Sequence, residues 1–430
     1  MARENKKHSL QRRTYQATRS LLRRLGGGVV ERERATGVAK QSGIKVAFIY
    51  GEKRTATGAD HINRLMAQAL AVRGARVRGF YPRVQLRGAP QHLKGITNML
   101  FFHSLLEHKN EILKYDIIQG TTYTLLPFLT FTTPLVSHFG STTRGFLAST
   151  PATTKLPARE RTLYRTLYKL GILSELDFQT FRPLEDTADI EELVALQADA
   201  CIATSQKIKE ELVAAGVKPE RIHVIHNAIE DYWFGSELPP PKDPHLVFLG
   251  RLGGDVFTLK LKGFDRMVAL YDAFPHVLKT TICMTSNKEL KEWIKVAFPQ
   301  HYMFVNLRRD LIPKVLKPRF GSIQLLTSRY EGFSLSMVEG MSQGLVPVSF
   351  PVGVAPEIIH DGKNGFLVNS VEEAKQRIQY LLDNPEERLI MATAARETAQ
   401  AFRSDTIASQ LLNLYRQLRG TRRANKTQDL

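Results

Sequence analysis

Cysteine is scarce in this sequence: two occur in 430 residues, Cys201 and Cys283. Two thiols supply neither a disulfide framework nor the ligands of a zinc site. Both lie in apolar, strand-like runs (ACIAT and TICMT), where a thiol serves as a small buried hydrophobe. No run of about 18 apolar residues occurs, which excludes a spanning helix. The opening stretch MARENKKHSLQRR is charged where a secretory leader carries its apolar core, so the cytoplasm is the expected compartment. Several chemical signatures are missing too. No Gly-x-Gly-x-x-Gly follows a strand, and neither Gly-x-x-x-x-Gly-Lys-Ser/Thr nor Gly-x-Ser-x-Gly occurs. That counts against dinucleotide binding of the usual kind, a P-loop NTPase and an α/β-hydrolase. No two aspartates stand two residues apart, and no histidine or cysteine spacing suits a metal. Neither a metal site nor a cofactor is expected.

What the chain has in excess is positive charge. The formal net charge is +18, a field that favours polyanions, anionic membranes or phosphorylated ligands without choosing among them. Residues 1–42 hold eleven Lys and Arg against three Glu. Leu10, Ala17, Leu21 and Leu25 share one potential helical face there. The segment reads as a basic tail, either disordered or an amphipathic helix suited to an anionic surface. The whole chain has the hydrophobic content, 43%, of a globular protein, and its length suits two domains at about 100–200 residues each.

From Ile44 onward, strands alternate with helices. IKVAFIY (44–50), RGARVRGFYP (73–82), YDIIQG (115–120), TPLVSHFG (133–140), DACIATS (199–205) and RIHVIHNAI (221–229) read as strands. Pro239, Pro240 and Pro241 then interrupt the pattern, since three prolines cannot sit inside a helix or a central strand. Afterwards LVFLGRL, TTICMTS, YMFVNL, SIQLLTS and VPVSF restart the alternation. The reading is an α/β fold of two parallel-sheet domains. The boundaries are a tail 1–42, a first domain 43–235, a second 236–405, and a C-terminal helix and tail 406–430 expected to pack back toward the first domain.

The densest chemistry lies at 328–368. SIQLLTS delivers Tyr330 and Glu331 to the carboxyl end of a parallel strand, where open α/β sheets bind ligands. A tight turn, Gly332 to Leu335, follows. Ser336-x-x-Glu339 reads as a capping box, which places the next helix start at Ser336 and its free N–H groups in the crevice. Glu331 and Glu339 bracket that anion site. In the same way, Arg251 leaves the strand LVFLG on the crevice side, and Lys262 precedes a helix whose positive end it opposes unless a bound anion reverses the sign.

Glu331-x7-Glu339 with GFSLSMVEGMSQGLVPV and PEIIHDGKNGFLV, the Gly-Arg-Leu…Lys-Gly element at 250–263, and DACIATSQKIKEELVAAGV…RIHVIHNAI together resemble glycosyltransferase family 4. The resemblance covers about residues 44–405. It implies the GT-B fold, two Rossmann-like domains facing a central cleft, and retaining transfer from a nucleotide diphosphate sugar, with UDP favoured. It implies that Arg251 and Lys262 bind the diphosphate, that Glu339 binds the ribose and that Glu331 contacts the transferred sugar. Backbone N–H groups of Phe333, Ser334, Leu335 and Ser336 would hold the sugar and β-phosphate. His138 would stand beside the reacting sugar, and the loop at Gly58 would approach the phosphate. The implied acceptor is a glycan or a lipid-linked one, in envelope or surface glycan synthesis, with catalysis independent of metal.

The chain departs from the family pattern at Thr57, His226, Ala228, Asn306-Leu307 and Val354, the last standing for the second glycine of a pair. Two other readings stand beside this one. A GT-B sugar-nucleotide epimerase would need further acid and base groups in the crevice. A basic membrane- or nucleic-acid-binding module would lose its function with residues 1–42, but it lacks any recognition element, and no nucleic-acid partner is expected.

Overall fold

The computed structural model describes residues 43–51, 58–82, 101–178, 181–235, 243–285 and 287–428. The basic tail 1–42, Thr57, the Pro239–Pro241 run and residues 93–100 lie outside them. The first sheet comprises β1 (Lys45–Ile49), β2 (Arg76–Phe80), β3 (Ile117–Thr121), β4 (Leu135–Phe139), β5 (Ala200–Ala203) and β6 (Ile222–Val224). Its order is β2-β1-β3-β4-β5-β6, and every neighbouring pair is parallel. The second comprises β7 (His245–Arg251), β8 (Leu278–Met284), β9 (His301–Val305), β10 (Ile323–Leu326), β11 (Val346–Ser349) and β12 (Phe366–Leu367). Its order is β12-β11-β10-β7-β8-β9, again all parallel. This is the two-sheet α/β architecture that the alternation implied. Only β12 had no counterpart in the sequence reading, and two residues are too few to show a pattern.

Helices cover both faces, so β3, β4, β5, β10 and β11 are buried at every position. Edge strands β2 and β9 are less buried and carry Arg76, Arg78, His301 and Tyr302, side chains that discourage further pairing. Strand order reverses between β1 and β3 and between β7 and β10. Loops leaving the carboxyl ends diverge at those two points and open a crevice.

Two helices cross from the lobe of their own sequence to the other. The helix Ala158–Lys169 buries Tyr164 and Leu167 completely against Phe264, Met267 and Tyr271 of the second lobe. The Tyr164 hydroxyl donates to Asp265 Oδ1 at 2.8 Å. The final helix, Ser404–Gln428, does the reverse: Ile407, Leu411, Leu414 and Tyr415 join a core with Ile62, Met66 and Leu70 of the first lobe. Arg73 clasps Asp405 with two hydrogen bonds, Nε–Oδ1 2.6 Å and Nη2–Oδ2 2.5 Å. Burying such side chains contributes about 1.5–3 kcal/mol each, so each lobe holds part of the other's chain. Among the described residues no helix is long and apolar enough to cross a membrane.

Candidate active site

The site is built at the β7/β10 switch point. β10 ends at Leu326, and the loop after it turns back through Ser328 and Glu331. Glu331 Oε1 accepts from Lys262 Nζ at 2.6 Å and from Ser328 Oγ at 2.7 Å. Both members of this ion pair are partly open, their side chains 22% and 16% exposed. Lys262 follows a short helix, Val256–Leu261, absent from the sequence reading, and caps its C-terminal, negative end. The next helix begins at Phe264. Gly263 joins the two in the left-handed region (φ +62°), and a Cβ there would sit 1.9 Å from the Thr327 carbonyl oxygen. Only glycine allows that approach.

The capping box does not form. The helix starts at Leu335 rather than Ser336, and its N-cap, Ser334, is left-handed (φ +83°) with no side-chain cap hydrogen bond. The reason lies in where Glu339 goes: it turns away from the helix end to meet Arg309. The Ser334 hydroxyl, buried, has no hydrogen-bond partner. An orphan hydroxyl therefore sits at a helix N-terminus whose first N–H groups lack intrahelical partners. Phe333 is buried beneath the turn, and its carbonyl accepts from Val354 N at 3.0 Å.

Glu339 is 3% exposed, and burial lifts its carboxyl above the usual carboxylate range, an effect the Arg309 guanidinium opposes in part. Arg309 also donates to Glu230, Nε–Oε1 2.7 Å and Nη2–Oε2 3.3 Å. Glu230 in turn accepts from the Tyr232 hydroxyl at 2.7 Å and from Trp233 Nε1 at 3.0 Å, and stands 2.8 Å from His61 Nε2. Burial alone would raise the Glu230 carboxyl, but His61 and Arg309 override it and hold it well below the usual carboxylate range. His61 lies on the helix Gly58–Val72, which Gly58 opens, so this cluster ties the two lobes together.

The other half of the crevice is formed by β4. His138 is fully buried, its Nε2 is 3.1 Å from Asn227 Oδ1, and its Nδ1 has no partner. Burial pushes the imidazole down to about 4. It is therefore neutral at neutral pH, with Nε2 donating and Nδ1 left as an acceptor. The Glu331 loop abuts this strand end: a Cβ at Gly332 would lie 1.9 Å from the Gly140 carbonyl oxygen, and Ser205 Oγ donates to the Gly332 carbonyl at 2.6 Å. Beside it the Tyr330 hydroxyl donates to Glu211 Oε2 at 2.7 Å and accepts from Thr142 N at 3.1 Å.

The structure thus joins Lys262 to Glu331 directly, and brings Gly332, the next residue, against the strand end that carries His138. Arg251 stands apart: it ends β7, is exposed, and pairs with none of the others. Arg309, Glu230, His61 and Asn227 escaped the sequence reading. The signal for Asn227 was the quoted HNAI element, to which no role was given; Glu230 lies one residue beyond it, and Arg309 lies in RRDL with nothing local to mark it. Two departures have a physical resolution. Asn306 adopts the left-handed conformation (φ +52°) that a glycine would take, which asparagine tolerates, and its side chain brackets Thr285. At the glycine pair, Gly353 alone needs positive φ (+55°), whereas Val354 at −83° does not.

Residues 56–231 match the family model described as Glycosyltransferase Family 4, and residues 230–398 the one described as Glycosyl transferases group 1. The chain is 24% identical over 262 residues, 53% of its length, to an alpha-maltose-1-phosphate synthase of Mycolicibacterium smegmatis, spanning 66% of that protein. Over the first curated relatives the matches span between 29% and 66% of the relative's length. Among solved structures it resembles a sucrose-phosphate synthase from Thermosynechococcus elongatus, with TM-score 0.67 and 17% identity, covering 88% of this chain and 100% of that one. It also resembles the Anabaena protein HepE in complex with UDP-glucose, with TM-score 0.56 and 17% identity, covering 86% and 99%.

Proposed function

We propose that this chain, which joins the two domains of a GT-B glycosyltransferase, moves a sugar from a UDP-sugar to an acceptor hydroxyl with the anomeric configuration kept. The observation that carries the reading is the Lys262–Glu331 pair and Glu339 set on either side of a helix N-terminus with an orphan Ser334 hydroxyl. A nucleoside diphosphate has the chemistry this arrangement lacks: anionic oxygens for Lys262, Ser334 and the first N–H groups, and ribose hydroxyls for Glu339. A bound diphosphate competes with Glu331 for Lys262, freeing the carboxylate to face the sugar. Arg251, unpaired at the end of β7, reaches for the same anion. His138 Nδ1 accepts a hydroxyl of the transferred sugar.

The chemical problem is the charge that gathers on the departing diphosphate. Fixed positive groups stabilise it without reorganising. On a front-face route, the bond from the anomeric carbon to phosphate oxygen breaks while the acceptor oxygen bonds the same face. The acceptor's proton passes to the departing phosphate oxygen. The acceptor is a glycan or lipid-linked hydroxyl of envelope or surface glycan synthesis. A thermal-shift screen with UDP, GDP and ADP tests the donor: a ligand at 100 Kd stabilises by about 2.7 kcal/mol. UDP is expected to raise Tm most. If none of the three raises it, the donor reading fails.

A further inference from the structure

We infer that Arg309 is the positioning residue of the donor's ribose contact: it keeps Glu339 ionised and aimed, and through Glu230 it ties that contact to the first lobe. The inference rests on reading Glu339 as the ribose carboxylate. A carboxylate that is to receive two ribose hydroxyls must be ionised, because in the acid form one of its oxygens becomes a donor. Glu339 is almost wholly buried, and burial favours the acid form. The titratable and charged groups that face it are Arg309, Glu230, His61 and Tyr232. Glu230 repels its charge, and Arg309 is the guanidinium that meets Glu339 Oε1 directly. Its fork is fixed from behind by Glu230, which Tyr232 and Trp233 hold in turn, with the Trp233 ring 5.9 Å away. Lysine, a point charge, supplies the cation but not the planar fork. Through Glu230 the same guanidinium reaches His61, three residues into the helix that Gly58 opens.

Removal of Arg309 leaves two carboxylates facing each other without a guanidinium. Glu339 then takes a proton at a higher pH, and the proton blocks ribose. Affinity for UDP should therefore fall as pH falls in Arg309→Ala and recover as pH rises, with the step at a higher pH than in the unaltered protein. The experiment is calorimetric titration of the full chain with UDP from about pH 6 to about pH 9. At neutral pH, Arg309→Ala should weaken binding about tenfold or more, the worth of a charge-assisted contact. Arg309→Lys should move the step back toward the parent's with part of the affinity. Glu230→Gln in the Arg309→Ala background should shift the step to lower pH, because it removes the repelling charge. An Arg309→Ala affinity equal to the parent's overturns the inference, as does a loss that is the same at every pH and not rescued by lysine. If Arg309→Ala does not fold, a step at higher pH in Arg309→Gln than in Arg309→Lys decides for the inference, and its absence decides against. Glu339→Gln separates the two readings: unchanged UDP affinity there removes the ribose assignment itself, whereas weakened affinity there with an unimpaired Arg309→Ala that keeps the parent's pH profile removes the Arg309 inference alone.

Discussion

At the carboxyl ends of the second sheet the polar groups are charged and matched, Lys262 with Glu331 and Arg309 with Glu339. At the ends of the first, the neutral His138 stands against Asn227, and the Glu211 carboxylate is taken up by the hydroxyls of Tyr330 and Thr142. The difference follows from what each wall is built on. The second lobe places a helix N-terminus and two cations around one crevice, which suits a ligand carrying several negative charges. The first lobe offers a buried acceptor lone pair on a neutral imidazole, which suits a hydroxyl. A diphosphate on one side and sugar hydroxyls on the other is the division expected of a site that holds a charged leaving group still while a neutral ring changes partners.

The strongest way to break this comparison is at Glu331, the charged residue whose loop abuts the first lobe. Glu331→Gln keeps the shape but weakens the pair with Lys262, and turnover should fall about 10²–10³-fold, the usual cost of one transition-state contact. UDP affinity should hold, since the amide still accepts from Ser328 and Lys262 remains for the phosphate. Steady-state kinetics beside a UDP titration checks both; unimpaired turnover would falsify the assignment. Next comes the pair of cations. Lys262→Ala should weaken UDP binding about ten- to a hundredfold by calorimetry. Arg251→Ala should cost only a few-fold, because an exposed charge at a strand end acts through screening solvent. If the two losses are equal, Arg251 moves onto the donor when it binds.

On the neutral side, His138→Leu removes the Nδ1 acceptor and should lower kcat/KM about tenfold, the worth of one hydrogen bond. The pH dependence sharpens the point. Burial holds the imidazole down at about 4, so the acceptor is lost only as pH falls through that value. Above it the parent protein should show no histidine step near the ordinary pKa of about 6.5 from this residue. A step near 6.5 that vanishes in His138→Leu would place a charged imidazole in the site and erase the contrast between the lobes.

How far this was legible in the sequence differs between the two walls. Strands announce themselves by apolar runs, and eleven of the twelve appeared that way; β12 did not, since Phe366–Leu367 pairs only through Val348 and Ser349. Glu331 and Glu339 stood out because they bracket a helix start. The start itself lies one residue before the expected Ser336, because Ser336 and Glu339 fit a capping box whenever no stronger partner is present, and Arg309, thirty residues upstream, is a stronger partner. No local pattern shows that contact, nor the crossing of Ala158–Lys169 and Ser404–Gln428 between lobes, since both depend on which surfaces meet after the sheets have formed. Gly332 is the instructive intermediate: its place in a turn was readable, but the reason for glycine, a carbonyl of the other lobe pressed where a Cβ would be, was not.

The smallest expected effect is no effect at all, and it tests whether the charged wall suffices. A leaving diphosphate can be stabilised by a divalent cation held on paired carboxylates or by fixed cations and N–H groups. This sequence has no Asp-x-Asp, and the carboxylates nearest the site, Glu331 and Glu339, are each engaged by a cation of the protein. A metal ion would have to displace Lys262 or Arg309 to use them. Turnover with a UDP-sugar should therefore be unchanged by EDTA and not raised by Mg²⁺ or Mn²⁺. Lys262→Ala makes the test more searching. With its carboxylate freed, that variant gains a place for a cation, and any rescue by Mn²⁺ should appear there and not in the parent. If EDTA abolishes turnover in the parent and Mn²⁺ restores it, the positive groups of the second lobe do not carry the leaving group, and the contrast between the walls describes the resting protein rather than the reaction.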